Sequence, residues 1–542
     1  MRLISILLCV AVCFLPAAQS LREVFAVSKQ IWDAQVPGDA GIKLRITKKG
    51  IDQMKEAALR TLQKEVLKIR GVRNVADFGK HGSIELHSMS VTKYVPPTLS
   101  AVNLKPPDRL YISMENSAIS VSGEFIGRLG AIALPGSLTG TASGLTTAIE
   151  VVLKRSGNEI YAEQVKCNTI IGHVHFTPVP RGPLAGLVRQ HLGIVNDAIR
   201  SYLPGVTCKY WAGLVEHGSR GLLSEFLTFP VDTKAENTDS LAQRVVKDLV
   251  MDNSVVGNPV VTDNYIEIKL KGELRYTSSP GPTPFNPPQM PDYEDNSKMF
   301  YVHATPYMIN SLLYHAYRQD RLSVKITQDD FPLEFHNLMK TSCKDEEALM
   351  DQELNETMPF SKYCLGTLLP ALSDAYPNAT AELLMLPHEL PRVQFVNNSV
   401  FLLGNARMLT YVLDKDRKKQ LTVTNIDSHS QLMPQIEDNK KVVAGLRINK
   451  MKFRLHRSSL QKLDPKNIEA LAPFAKIIIG PQVSKVLKHG LPLPGQAYLN
   501  YVEPELSIYD NLAVLATDFA VKDSVAMQYA QRGIKGALYR LG

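Results

Sequence analysis

The chain has 542 residues, of which 44% are hydrophobic, 7% aromatic and 21% charged, and 61 Lys+Arg against 53 Asp+Glu leave a formal net charge of +8. This is the balance of a core-forming globular protein, and it excludes a disordered, collagen-like or coiled-coil chain. The length predicts three or four ordinary domains or two large β-rich ones.

Residues 1–20 open with Arg2, run apolar from Leu3 to Leu15 and end in Pro16-Ala17-Ala18-Gln19-Ser20, the pattern of a secretory signal cut before Leu21. About 13 apolar residues are too few to span a bilayer, and no later run reaches about 18, so the expected mature chain is soluble, secreted and extracellular. Ile51, Met54, Ala58, Leu62, Val66 and Ile69 then recur at steps of three and four, with Lys55, Arg60, Lys64 and Lys68 between them. That spacing predicts an amphipathic helix. Leu110, Ile112 and Met114 alternate as a strand does, and the Gly/Ser/Thr-rich stretch 136–144 reads as turns or weakly patterned strands. His173 and His175 share one face of a predicted strand and could share a metal. No carboxylate or cysteine stands at ligand spacing, so they read as solvent-facing polar positions and no metal is expected. Leu184, Leu187, Leu192, Val195, Ile199 and Leu203 form a second helical stripe, with Pro183 in its first turn and Pro204-Gly205 ending it.

Ile266, Ile268 and Leu270 interleave with Glu267, Lys269 and Lys271, which predicts an antiparallel strand with one wet face. Six prolines between Thr277 and Pro291 then force an extended connector that divides the chain into nearly equal halves, the first holding the basic excess. The second half repeats the plan of the first. A helix is expected around Pro306–Arg321, a strand where Met451, Phe453 and Leu455 alternate with Lys450, Lys452 and Arg454, and a helix around Asn467–Lys488. Once Cys9 and Cys13 leave with the signal, Cys167, Cys208, Cys343 and Cys364 allow three pairings, and the two local ones are favoured. The sequons Asn355, Asn378 and Asn397 agree with a secretory route. No nucleophile elbow, zinc-protease helix, P-loop or dinucleotide fingerprint is present, so neither enzymatic chemistry nor a cofactor is expected.

The stretch Pro37-Gly-Asp-Ala-Gly-Ile-Lys-Leu-Arg-Ile-Thr-Lys-Lys-Gly50, followed by the amphipathic helix, resembles the opening of the bactericidal permeability-increasing protein, lipopolysaccharide-binding protein and plasma lipid-transfer protein family. Cys167 and Cys208, the mid-chain proline connector, Gly366-Thr-Leu-Leu-Pro370, Lys488-His-Gly-Leu-Pro-Leu-Pro494 and a closing strand at 512–521 follow in the family's order. The resemblance implies an α+β fold of two similar barrels of twisted antiparallel sheet wrapped on long helices, joined by a central sheet in an elongated boomerang. It divides the chain into a signal (1–20), a first lipid-binding barrel (21–276), a linker (277–294), a second lipid-binding barrel (295–522) and a tail (523–542). Each family barrel holds phospholipid acyl chains between helix and sheet. The resemblance thus places Ile51, Met54, Ala58, Leu62, Val66, Leu184, Leu187, Leu192, Val195 and Ile199 toward a lipid pocket.

One departure concerns the hairpin where lipopolysaccharide-gripping members cluster lysine and arginine. The matching stretch here, Gly123–Gly136, holds only Arg128 and Glu124. The other basic residues, Lys43, Lys48, Lys49, Lys55, Arg60, Lys64, Lys68, Arg70 and Arg73, either face anionic membranes or form a solvated surface. Residues 523–542 resemble in placement the C-terminal helix of the cholesteryl ester transfer members. Asp523 or Ser524 would cap it, Met527, Ala530, Ile534, Leu538 and Leu541 form its stripe, and Gly533 and Gly536 weaken it. The expected function is lipid binding and transfer of phospholipid or neutral lipid. The alternatives are an antibacterial lipopolysaccharide-binding protein of innate immunity and, more remotely, a lipid hydrolase.

Overall fold

The computed structural model describes residues 38–77, 82–129, 132–182, 185–186, 192–226, 240–330, 333–343, 364–414, 417–469 and 471–541. The expected signal and Asn355 lie outside them, whereas Asn378 and Asn397 are exposed.

The opening motif sets the first contacts. Strand β1 (Ile42–Thr47) is buried at every position. Thr47 then caps helix α1 (Lys48–Val66), its hydroxyl accepting the Gly50 amide at 3.4 Å. A Cβ on Gly50 would stand 2.5 Å from the Met299 carbonyl oxygen, so only glycine lets the helix start against the other half of the chain.

Seven strands follow: β2 (Val72–Asp77), β3 (Ser83–Val95), β4 (Leu99–Lys105), β5 (Arg109–Leu129), β6 (Ile132–Ser156), β7 (Glu159–Ile170) and β8 (His173–Pro180). They form one antiparallel sheet in the order β2-β3-β5-β6-β7, with β4 beside β5 and β8 beside β6. Register shifts between β3, β5 and β6 mark bulges that bend these long strands around the helices. Helix α2 (Leu192–Phe226) lies against β7 and is tied to it by the Cys167–Cys208 disulfide. The expected stop at Pro204 does not occur. Proline removes one amide donor, a local cost of about 3 kcal/mol, and the packing of both flanking segments on the sheet carries the helix through it.

Helix α3 (Leu241–Val246) and strands β9 (Leu249–Asp252), β10 (Val260–Val261), β11 (Tyr265–Leu270) and β12 (Glu273–Tyr276) lead to the connector. The second half then runs β13 (Phe300–Ala304), α4 (Tyr307–Arg318), β14 (Val324–Ile326), α5 (Leu365–Leu368), α6 (Pro370–Ala375), β15 (Thr380–Pro387), β16 (Arg392–Val396), β17 (Ser399–Asp414), β18 (Arg417–Glu437) and β19 (Lys441–Ser458). It ends in α7 (Pro465–Glu469), α8 (Ala472–His489), β20 (Leu491–Pro492), β21 (Leu499–Tyr509), β22 (Leu512–Val521) and α9 (Asp523–Leu541). A second antiparallel sheet, β14-β15-β17-β18-β19-β20 with β16 beside β17, packs on α8. Cys343 and Cys364 are bonded.

The two halves share a six-stranded sheet in the order β10-β11-β1-β13-β22-β21, joined where β1 pairs antiparallel with β13 from Ile42↔Ala304 to Ile46↔Phe300. The fold is therefore two similar antiparallel barrels on helices with a central sheet between them. The wet face expected for β11 is a correction: Glu267 is buried and Lys269 half-buried, because the strand lies inside this sheet and the connector runs near its polar face. Arg45 donates to Glu267 at 3.0 Å and to the Tyr293 carbonyl at 2.6 Å.

Beside the central sheet a fully buried carboxylate gathers both halves. Glu273 meets His315 Nε2 at 2.8 Å, Lys271 Nζ at 2.6 Å and the Tyr307 hydroxyl at 3.2 Å, and accepts the Thr283 amide at 2.9 Å. Burial alone would raise its pKa, but the His315 and Lys271 hydrogen bonds, the lysine charge and the Thr283 amide hold it down to about 2. Because the folded value lies below the unfolded one, this stabilisation is complete above about pH 4.5 and is lost as pH falls toward 2. Glu273→Gln should therefore cost roughly 3 kcal/mol near neutrality. Its stability should also fall less steeply than the parent's below about pH 4.5, as denaturant titrations at several pH values would show.

Candidate functional site

The residues expected along the helices divide among three clusters. Ile51 and Met54 pack on the apolar face of the central sheet with Phe300 and Leu515, and Leu62 and Val66 lie with Val91, Tyr94 and Trp211. Ile199 joins Met89, Phe125 and Phe176 farther along the first sheet. Leu184 and Leu187 lie outside the described residues, as do the side chains of Leu192 and Val195. Ala58 is a correction, since it is exposed while Ala57, Thr61 and Glu65 are buried. The buried arc of α1 is rotated toward a polar-containing face because a second helix covers it.

That helix is α9. Its Gln531 donates to Glu65 at 3.0 Å, Ile534 and Leu538 complete the Leu62–Val66 cluster, and Arg540 pairs with Glu216 of α2. The expected stripe is partly corrected: Ile534 is buried, but Met527 is exposed, and the buried arc runs through Val525, Tyr529, Gly533, Ile534, Gly536 and Ala537. The glycines do more than weaken the helix. A Cβ on Gly213 of α2 would lie 2.6 Å from the Ala537 Cα, and one on Gly536 would strike the His217 ring, so the glycines set how closely α2 and α9 cross. Helix α9 starts at Asp523, its first amides bonded to the Lys522 carbonyl. The last residues of the chain thus close the helix face of the first barrel.

The second barrel holds a small, partly open apolar pocket, a cavity of about 30 Å³. Ile326, Met385, Met408 and Phe453 line it from the sheet, and Leu471 and Ile479 from the α8 side. Thr410 is its polar contact. Thr422 and Thr424 stand opposite Thr410 and Met408 in the β17–β18 register and so share the inward face, and among the described residues their buried hydroxyls have no hydrogen-bond partner. No motif announced this cavity, because its lining comes from strands, loops and a helix spread over more than a hundred residues. The alternation of Met451, Phe453 and Leu455 was the one signal of an inward apolar row.

The model of the LBP / BPI / CETP family, C-terminal domain, matches residues 243–521, more than half of the chain. The protein belongs to the LBP/BPI/CETP family. Bactericidal permeability-increasing protein of Rattus norvegicus is 21% identical over 490 residues, covering 89% of this chain and 93% of that relative. Lipopolysaccharide-binding protein of Bos taurus is 23% identical over 494 residues, covering 88% and 93%. Among solved structures, the crystal structure of lipopolysaccharide binding protein has a TM-score of 0.47 at 19% identity, covering 89% of this chain and 100% of that one.

Within this family fold, the β5–β6 hairpin offers little free charge. Arg128 reaches Glu85 at 3.4 Å, and Glu124 faces Arg181 at 4.0 Å. Much of the basic set around α1 is also engaged inside the molecule. Lys43 is a correction, being buried against Glu267 at 3.5 Å rather than on the surface. Lys49 pairs with Asp518 at 2.9 Å, Lys55 with Asp52 at 3.3 Å and Lys68 with Glu65 at 2.5 Å, while Arg70 bonds carbonyl oxygens. Lys48 stands 3.9 Å from Asp52, leaving Arg60, Lys64 and Arg73 exposed. His173 and His175 are exposed on β8, and among the described residues no three His, Cys, Asp or Glu side chains could together hold a metal.

Gly213→Val should undock α9, since the added side chain meets helix backbone that has no room to yield. Overpacking of this kind costs about 1–3 kcal/mol, and α9 alone is a marginal helix. Hydrogen exchange at residues 523–541 is expected to accelerate while β5 and β6 remain protected; equal protection in variant and parent would contradict the docking.

Proposed function

We propose that the protein is a secreted lipid carrier that holds phospholipid or neutral lipid in apolar barrel interiors, exchanges it with membranes and performs no covalent chemistry. Bound lipid is its ligand, and no cofactor takes part. The observation that carries this reading is the apolar pocket of the second barrel, lined by Met, Leu, Ile and Phe side chains and by Thr410. The pocket as it stands holds only a small part of such a guest, so a lipid chain would enter by parting α8 from the sheet, and the apolar lining favours that guest over water. Membership of a family whose named members include lipopolysaccharide-binding protein supports lipid as the ligand class. No helix among the described residues is long and apolar enough to cross a membrane.

Lipopolysaccharide binding with an antibacterial role is the second reading, favoured by the names of the relatives. Its weakness is the β5–β6 hairpin, where the two described charges already have partners and a diphosphorylated head group would need converging cations.

Mass spectrometry of lipid extracted from the purified secreted protein tests both. Phospholipid or neutral lipid at about one or two per chain is the expected result, lipid A in its place would favour the second reading, and a lipid-free protein would refute carriage. Ile479→Trp, which fills the second cavity from the helix side, should lower the lipid recovered per chain at a stability cost of about 1–3 kcal/mol.

A further inference from the structure

Charge in the second half is unevenly placed. Residues 440–489 hold twelve Lys and Arg (Lys440, Lys441, Arg447, Lys450, Lys452, Arg454, Arg457, Lys462, Lys466, Lys476, Lys485, Lys488) against Asp464 and Glu469. Twelve minus two gives a net +10 within this stretch, more than the +8 of the whole chain. Strand β19 concentrates it. Arg447, Lys450, Lys452, Arg454 and Arg457 are all exposed, while Met451, Phe453 and Leu455 point inward. Register shifts at His429/Ser430 and Val423/Thr424 place an extra residue in β19 at each point and keep the cations on one face. Alternate positions on a strand lie about 7 Å apart, so the five make one row.

Among the described residues the row lies on a strand edge with no partner strand, since β19 pairs with β20 only at Lys441 and Val442. Arg454 has a partner in Asp427, but among the described residues Arg447, Lys450, Lys452 and Arg457 have none. One charged residue would guard an edge against strand addition, whereas four unpaired cations in register repel one another and call for a counter-charge outside the chain. The same outer face carries half-buried apolar groups on β17. Leu403 stands opposite His429, and Phe401 stacks on that ring at 4.9 Å.

We propose that this outer face of the second barrel, led by the β19 edge, docks on an anionic lipid bilayer. A bilayer supplies negative head groups within the Debye length of the row and an interface that accepts Phe401 and Leu403. A sulfated polysaccharide would match the cations alone. The docking face lies on the barrel that holds the apolar cavity, so it would bring that cavity to a membrane, although the charge argument stands whether or not lipid is carried.

The test is flotation of the full chain with phosphatidylcholine vesicles, with and without about 30% phosphatidylserine. The protein should float with the anionic vesicles at low salt and be released by high salt. Reversing three cations, Arg447→Glu, Lys450→Glu and Lys452→Glu, should weaken partition about 100-fold or more, at roughly five-fold for each positive charge lost. The matched reversal of Arg60, Lys64 and Arg73 to Glu makes the same change in net charge elsewhere and should alter it by no more than about two-fold. Undiminished binding by the β19 variant, equal loss in both variants, or retention on heparin without binding to anionic vesicles would each overturn the proposal. Lipid recovered from the β19 variant should equal that of the parent, which separates a failure of docking from a failure of carriage.

Discussion

Pairing of β1 with β13 is the contact on which the rest of the molecule depends. It places an N-terminal strand beside one that follows the proline connector, so neither half can complete the central sheet alone. Burial on both faces makes the register demanding. Ile42, Leu44 and Ile46 pack on Phe300 and Leu515, whereas Lys43 and Arg45 must find Glu267, and Arg45 also meets connector atoms. A one-residue slip would exchange these two sets and bury charge without a partner. His303, in the same sheet, is buried against Tyr293 and Tyr301, and burial, together with the nearby Arg45 and Lys43 charges, pushes its pKa down to about 3. It therefore stays neutral beside two cations. The connector is thus a strap near a polar sheet face as well as a spacer.

The two barrels follow one plan and end differently. Each lays an antiparallel sheet over a long helix, which leaves an apolar helix face and an apolar sheet face that must be covered. In the first barrel the cover includes the chain's own last helix, held by glycine contacts and by Gln531–Glu65. In the second, α8 and the strands meet across a small apolar pocket. A guest that entered there would gain what a protein side chain gains on burial, about 25 cal/mol for each Å² of apolar surface withdrawn from water. That pocket is why the second barrel carries the functional reading.

Much of this was legible in the residues. Period-two alternation placed β19, the three-and-four spacing placed α1, and the order of motifs placed the halves and the Cys167–Cys208 bridge. What escaped was fixed by tertiary contact. Pro204 reads as a stop because its local cost is visible and the packing that offsets it is not. Ala58 and Met527 fit ideal stripes, but α1, α2 and α9 bury one another along faces that include glycine, threonine and glutamate. Lys43 reads as surface until β1 is known to lie inside a sheet. The β19 row was hidden by averaging, since acids elsewhere in the second half cancel it.

The central claim is that lipid occupies the second barrel between α8 and the sheet. Loading the full chain with a photoactivatable phospholipid or sterol ester, irradiating it and mapping the adducts by peptide mass spectrometry tests this most directly. The account predicts adducts on β15, β17, β19 and α8, centred on Met385, Met408, Phe453 and Ile479, which line the cavity. Adducts confined to the exposed surface, or to the first barrel with none in the second, would contradict it.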